Sequence, residues 1–231
     1  MNISVVIPAY NEENFIRETI MQVYRNLPES EIIVVSDGSI DNTANIVKDL
    51  QNKIRNLIII ELKSRCGKGA AILKGFEIAM GSVIGFLDAD DAFKITSIKK
   101  MIDLLKSESC DCVIASKWKG VKFSQVDDRF FKKILSRVWN ILVKLLFHLN
   151  FEDTQGGSKF LKRKVLRNIG TVFHCQGFEI DVELLMRISK AGYTIKEVFM
   201  PSFYRKESKF RMSAIIPMFI GIMKLKVRGI R

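Results

Sequence analysis

Residues 82–91 read Ser-Val-Ile-Gly-Phe-Leu-Asp-Ala-Asp-Asp, a short apolar run that stops in three carboxylates. Such a run suits a strand buried on both faces. Alternate side chains of a strand share a face and adjacent ones do not, so Asp88 and Asp90 converge only at or just past the strand end, with small Ala89 between them. Carboxylates gathered there repel one another, and a hard divalent cation completed by phosphate oxygens relieves that repulsion. The competing explanation is a solvated acidic turn leading into a helix near Ile95. These ten residues do not separate the two.

The flanking chain supplies the context. Residues 3–8, 31–36, 57–61, 82–88 and 112–116 are short Val/Ile-rich segments, and residues 12–27, 41–52, 69–80 and 95–106 space their apolar residues as helices do. Strands alternating with helices of this length predict an α/β fold with a Rossmann-like, largely parallel sheet covered on both faces. Ligands of such sheets bind beyond the strand carboxyl ends. Strand one ends in Pro8-Ala-Tyr10-Asn-Glu12, strand two in Ser36-Asp37-Gly-Ser-Ile-Asp41, and strand four in Asp88-Ala-Asp90. A tyrosine ring can cover a flat base, and a carboxylate can accept hydrogen bonds from base N–H or ribose hydroxyl groups. Taken singly, Asn11 or Asp41 can cap a helix and Gly38 can turn the chain. Gly67-Lys68-Gly69 lacks the upstream glycine and the following Ser/Thr of a P-loop, and no GxGxxG follows strand one. ATPase and dinucleotide dehydrogenase readings are therefore disfavoured.

With 231 residues, 48% of them hydrophobic and four prolines, the chain can bury a substantial core. The start of the sequence shows no signal-peptide pattern, which predicts residence in the cytosol. Its four cysteines form no CxxC pair and its two histidines lie far from ligand spacing, so neither zinc nor disulfides are expected. The net charge of +12 is concentrated: residues 117–144 carry eight Lys or Arg against Asp127 and Asp128, and residues 205–231 carry eight against Glu207. Two basic patches on a nearly neutral body suit an anionic partner, whether nucleic acid, a membrane surface or phosphates.

Pro8-Ala-Tyr-Asn-Glu12, Asp37-Gly-Ser and Asp88-Ala-Asp90 together resemble the inverting glycosyltransferase family 2, with its GT-A fold, nucleotide-sugar donor and Mg2+ or Mn2+. The second half resembles the polyprenyl (dolichyl) phosphate hexose synthases, through Ala115-Ser-Lys117, Ser136-Arg-x-x-Asn140, Asp153-Thr-Gln-Gly156, Phe178-x-x-Asp181-x-Glu183-Leu-Leu, Gly192-Tyr193, Arg205 and Ser208-Lys209. The resemblance implies a catalytic domain over residues 1–210, with a nucleotide-sugar half to about 116 and an acceptor half beyond it. It implies that Pro8, Tyr10, Glu12, Val35 and Asp37 surround the nucleoside. Asp88, Ala89 and Asp90 would hold metal and diphosphate, with Asp88 and Asp90 as the metal ligands and Arg205 and Lys209 closing over the phosphates. Asp88, Asp90 and Arg205 are then the catalytic set. Three departures stand out: Ser36 replaces a frequent aspartate, Lys117 replaces an arginine facing the acceptor phosphate, and Ala92 replaces a glutamine common in mannose synthases, which leans toward the glucose-type branch. Lysine keeps the charge of arginine but loses its bidentate fork.

The implied partners are UDP-glucose or GDP-mannose as donor, polyprenyl or dolichyl phosphate as acceptor and a membrane surface, with no nucleic acid expected. A phosphomonoester, with a second pKa of about 6, is already largely dianionic at neutral pH and needs no base, so in-line attack with inversion is expected. Lys117, Arg129, Ser136 and Arg137 would hold the acceptor phosphate, and Asp181 and Glu183 are the rival base candidates. From Phe130 to Asn150, Lys133, Ser136, Arg137, Asn140, Lys144 and His148 form a narrow polar stripe on an otherwise apolar helix, which must face a core and something else. Met212 to Met223 is apolar, broken by Pro217 and followed by Lys224, Lys226, Arg228 and Arg231. At less than the roughly 20 residues of a span, residues 211–231 are expected to be an amphipathic interfacial tail on the cytoplasmic face of a membrane, peripherally bound. Two alternatives stay open: a family 2 enzyme with a sugar or protein hydroxyl acceptor, and a non-catalytic nucleotide-binding module that docks on membrane or nucleic acid.

Overall fold

The computed structural model describes residues 2–90, 95–107, 109–201 and 215–228. In chain order the elements are β1 (Ile3–Ala9), α1 (Ile16–Asn26), β2 (Glu31–Asp37), α2 (Thr43–Gln51), β3 (Leu57–Leu62), α3 (Lys68–Ile78), β4 (Val83–Leu87), α4 (Ile95–Lys106), β5 (Cys112–Ser116), α5 (Phe130–Phe147), β6 (Ser158–Lys162), α6 (Arg163–Ile169), α7 (Ile180–Lys190), β7 (Ile195–Phe199) and α8 (Ile215–Arg228). The seven strands form one sheet in the order β3-β2-β1-β4-β6-β5-β7. Pairing is parallel except around β6, which runs antiparallel to both β4 and β5. The two halves read from the sequence thus share one sheet.

Period-two alternation divides the apolar strand residues between two cores. Val5, Ile7, Ile32 and Val34 pack with Ile20 of α1, Val47 of α2 and Ile102 of α4 on one face. Val6, Ile33, Val35 and Phe86 pack with Phe76 of α3, Leu185 of α7 and Ile222 of α8 on the other. Burial on both faces explains the near-continuous apolar runs of the central strands. Strands β6 and β7 carry no such run. Ser158-Lys-Phe-Leu-Lys162 reads as polar because Lys159 is buried in an ion pair rather than solvated, and edge strand β7 is half exposed.

β1 is followed in the sheet by β2 on one side and β4 on the other, so the chain reverses its direction of travel across the sheet between β1 and β4. The β1–β4 pairing ends at Val6 opposite Phe86, and Pro8, which has no N–H to give a ladder, lies beyond it. The ladder ends there, at the position where open α/β sheets hold ligands in a crevice beyond the strand ends.

Helix α5 is amphipathic in an inverted sense. Its polar stripe faces inward, where Asn140 donates to the Glu152 carbonyl and accepts from Thr154 N–H and Oγ1. Phe130, Phe131, Ile134, Val138, Ile141 and Leu145 face outward, 41–71% exposed. The helix stops at His148, whose left-handed backbone caps it two residues short of the expected end. α8 carries Pro217 in its first turn, where proline is tolerated. It buries Met218, Ile222 and Leu225, while Ile216, Phe219, Ile220 and Val227 remain exposed, so residues 215–228 pack on the body with one face. Lys226 donates to the Leu146 carbonyl at the end of α5. Among the described residues no helix is long and apolar enough to cross a membrane.

Gly85 allows β4 and β6 to lie close: a Cβ there would meet the Phe160 ring at 2.2 Å and the Lys159 carbonyl at 2.5 Å. Gly85→Ala should cost about 1–3 kcal/mol by overpacking and lower the melting temperature by about 2–4 °C per kcal/mol. A thermal melt superimposable on wild type would contradict this contact.

Candidate functional site

The crevice is walled by loops that pin one another. After β1, Asn11 adopts a left-handed backbone (φ 55°), which asparagine tolerates. Its Oδ1 accepts from Ile40 N–H, and its own N–H donates to Ser39 Oγ. Glu12 N–H donates to Thr43 Oγ1 at 2.7 Å, and Glu13 N–H to Asp41 Oδ2. After β2, Asp37 accepts from the N–H groups of Cys66 at 2.6 Å and Gly67 at 2.9 Å. Gly38 (φ 66°) lets this turn lie on the following loop, since a Cβ there would stand 2.6 Å from the Arg65 backbone nitrogen. Arg65 in turn stacks on Tyr10, 4.2 Å from the ring centre. The ends of β1, β2 and β3 are therefore one unit.

The expected nucleoside residues fall at this unit in different ways. Tyr10 is partly exposed beside Arg65, and Glu12 is mostly buried at 9% exposure. Pro8 is buried opposite Val35. Val35 itself is 0% exposed, paired on one side with β1 and on the other with β3. Val35 is thus a core residue and not a wall of the crevice, because it lies two positions short of its strand end. Asp37 uses both oxygens to hold the loop into α3.

The acidic corner sits on the crevice rim. Ala89 is buried, and its carbonyl accepts from Thr19 of α1 at 3.0 Å. Asp88 and Asp90, on either side of it, are partly exposed. Asp88 N–H donates to the Gly157 carbonyl, which joins this corner to the loop before β6. Lys68, first residue of α3, places Nζ 2.7 Å from Asp88 Oδ1 and 3.8 Å from Asp181 Oδ2. Asp181 Oδ1 is taken by Lys159 at 2.6 Å, a pair that is 0% exposed on both sides, and Lys159 also donates to the Gly156 carbonyl. Burial pushes the Asp88 carboxyl above its ordinary pKa, with Lys68 opposing and the neighbouring Asp90 adding to the rise. Burial works to lower the Lys68 ammonium, yet Asp88 and then Asp181 outweigh it and hold the pKa above that of ordinary lysine.

The donor set at this corner suits a hard divalent cation bound together with a diphosphate. Among the described residues no cluster of three His, Cys, Asp or Glu exists to cage an ion. Two neighbouring carboxylates at one strand end are what a cation completed by substrate phosphates requires from the protein. Asp88 and Asp90 would hold it. Arg205, Lys209 and Ala92 lie outside the described residues.

Of the residues expected to hold an acceptor phosphate, Lys117, Ser136 and Arg137 gather around Trp118, which is fully buried just past β5. Arg137 stacks on its ring at 4.0 Å, Ser136 Oγ accepts from its indole N–H at 3.0 Å, and Lys117 Nζ lies 5.7 Å from the ring centre. Lys117 also pairs with Asp128 at 2.9 Å. Arg129 is the N-cap residue of α5. Asp153 accepts from Lys117 N–H and Gln155 N–H; burial holds its carboxyl above the ordinary range, with Lys117 opposing. Because β4 and β5 are parallel across β6, the ends carrying Asp88 and Lys117 lie on the same edge of the sheet. The two base candidates are occupied. Asp181 is held as described, and Glu183, 0% exposed, accepts from His174 N–H, Cys175 N–H and Arg187. Sequence reasoning missed Lys68 and Lys159; the available signals were a lysine flanked by glycines after a strand, and a lysine alternating with apolar residues.

The seven-stranded sheet, its helices and the crevice between β1 and β4 are GT-A architecture. The profile of the family described as glycosyl transferase family 2 matches residues 4–170, and the chain belongs to that family. A dolichyl-phosphate beta-glucosyltransferase of Trichomonas vaginalis is 28% identical over 238 residues, 97% of this chain and 73% of the relative. One of Dictyostelium discoideum is 31% identical over 211 residues, 85% of this chain and 64% of the relative. Among solved structures, glucosyl-3-phosphoglycerate synthase from Mycobacterium tuberculosis in complex with Mn2+ and UDP-glucose is similar with a TM-score of 0.74 at 18% identity, covering 100% of this chain and 80% of that one.

Asp37→Asn replaces one acceptor oxygen by an amide that faces a backbone N–H. It should destabilise the protein by about 1–3 kcal/mol, read as a lowered urea midpoint. An unchanged midpoint would mean that Asp37 does not anchor the 66–67 loop.

Proposed function

We propose that this family 2 glycosyltransferase moves glucose from UDP-glucose to a polyprenyl or dolichyl phosphate at a membrane surface, with a divalent cation at Asp88 and Asp90. One observation carries the reading: the acidic pair just past β4 and the cluster of Lys117, Arg137 and the Ser136 hydroxyl beyond β5 lie at one sheet edge. An anionic leaving group and an anionic acceptor each have a seat there. The names of the two curated relatives support glucose and dolichyl phosphate, and the ligands of the structural neighbour support UDP-glucose with Mn2+. GDP-mannose is the competing donor.

The chemistry follows from charge. A phosphate oxygen of the lipid attacks the anomeric carbon, the bond from that carbon to the diphosphate breaks, and the nucleoside diphosphate leaves with inversion at the sugar. A divalent cation at Asp88 and Asp90 would offset the negative charge that builds on the leaving diphosphate. Lys68, at the amino end of α3, adds a positive charge to the same corner. No proton needs to be removed from a phosphate dianion, and Asp181 and Glu183 are spent on Lys159, Lys68, Arg187 and backbone N–H groups. A hydroxyl acceptor would need a base. Transfer to a soluble sugar that depends on Asp181 would favour that second reading.

Membrane docking is supported by the two outward apolar faces. Phe130, Phe131, Val138, Ile141 and Leu145 of α5 and Ile216, Phe219, Ile220 and Val227 of α8 are exposed, and Lys226 ties the two helices together. Exposed apolar rows beside lysines and arginines suit an anionic lipid interface.

Purified protein with Mn2+ or Mg2+, UDP-glucose and dolichyl phosphate should form a glucolipid that EDTA abolishes; no glycolipid from UDP-glucose would overturn the donor proposed. Arg137→Ala should raise the apparent KM for the lipid phosphate about tenfold or more, in line with a charge-assisted bond, and leave that for the donor little changed. An effect confined to the donor would move Arg137 to the other half of the site. The double variant Phe131→Glu/Leu145→Glu should sediment less with vesicles of phosphatidylcholine and phosphatidylserine, and equal sedimentation would remove α5 from the interface.

A further inference from the structure

The Gly67-Lys68-Gly69 stretch has no phosphate-loop role, yet its two glycines are required by close packing. A Cβ at Gly67 (φ 106°) would stand 2.4 Å from the Gln176 carbonyl oxygen, and one at Gly69 would stand 2.8 Å from the Gln176 carbonyl carbon. Ala70 N–H donates to that same carbonyl at 3.1 Å. The amino end of α3 is thereby seated flush on the chain that leads into α7, and the backbone of Lys68 is fixed midway between β4 and α7.

From that fixed stem the ammonium has two carboxylates in reach. It is bonded to Asp88 Oδ1 at 2.7 Å and lies 3.8 Å from Asp181 Oδ2. Asp181 Oδ2 is buried without a hydrogen-bond partner, while its sister oxygen is saturated by Lys159. A buried carboxylate oxygen left without a hydrogen bond is costly. A shift of Nζ by roughly 1 Å would bring it within hydrogen-bond range of Oδ2.

We propose that Lys68 is a resident counter-ion with two seats: it neutralises Asp88 while the acidic corner lacks a cation, and passes to Asp181 Oδ2 when a divalent cation takes Asp88 and Asp90. The inference rests on the cation reading of the proposed function and adds to it an exchange inside the protein. Three carboxylates, Asp88, Asp90 and Asp181, face two ammonium groups, Lys68 and Lys159, in this corner. Exchange keeps Lys68, Asp88 and Asp181 each paired before and after the cation arrives. It also makes Lys68 a competitor for Asp88, so the cation alone binds weakly and binds well when a diphosphate brings further oxygens. Lys68 is on this account a positioning residue for the cation.

Two measurements test it. Crystals of the full chain grown with and without MnCl2, nucleotide absent, should show Lys68 Nζ on Asp88 without Mn2+ and on Asp181 Oδ2 with it. Mn2+ at Asp88 and Asp90 with Lys68 still bonded to Asp88 Oδ1 would overturn the exchange and leave the cation reading intact. Mn2+ absent from that corner even in crystals that also hold UDP would overturn both. Calorimetric titration of MnCl2 into Lys68→Met should give an affinity about tenfold tighter than wild type, the scale of a lost charge-assisted bond, while Asp90→Ala should give no binding. Equal or weaker Mn2+ affinity in Lys68→Met would refute the competition. Should that variant not fold, the paired crystal structures decide.

Discussion

The structure depends on the parting of β1 from β4. Their ladder closes at Val6 and Phe86, and proline follows on one strand and an aspartate pair on the other. Opening a sheet in its middle exposes backbone groups and concentrates carboxylates, both of which cost free energy. The chain offsets this locally. Thr19 and Gly157 hold the backbone of Ala89 and Asp88, Lys68 neutralises the Asp88 carboxylate, and Asp37 ties down the loop that delivers Lys68. The loop contacts on one side of the gap and the ion pairs on the other are a single network.

That network runs on into the second half through buried charge. Lys68 touches Asp181, Asp181 holds Lys159, and Lys159 fixes the Gly156 carbonyl in the loop that also positions Asp153 and Lys117. Gly156 itself can be no other residue without moving β5, since a Cβ would meet the Ala115 carbonyl oxygen at 1.9 Å. The Asp88 corner and the Lys117 cluster are therefore linked through β6 and its buried Lys159. Removing one partner of such a buried pair is far more damaging than removing a surface pair.

Much of this was legible in the sequence. The first five strands and four helices announce themselves because burial on both faces demands continuous Val and Ile, and the order of polar residues at strand ends places the crevice. Where one element's polarity is answered by another's, the reading fails. β6 hides behind Lys159, whose partner lies 22 residues away. Lys68 hides because its role requires both Asp88 and Asp181 to be in place. Helix α5 shows its stripe in the sequence, but which side faces the core is decided by Trp118 and the 152–154 loop, which turn Ser136 and Asn140 inward and leave the phenylalanines outside. The family resemblance places Val35 beside the nucleoside, yet its side chain lies two residues inside the strand end and is buried.

The central claim is that Asp88 and Asp90 receive a cation together with a nucleoside diphosphate sugar. Calorimetric titration of UDP-glucose into wild type and Asp90→Ala, each with and without Mn2+, tests it most directly. The account predicts binding by wild type that is strengthened by Mn2+ and an Asp90→Ala response that Mn2+ does not change. Equal enhancement by Mn2+ in both proteins would contradict it.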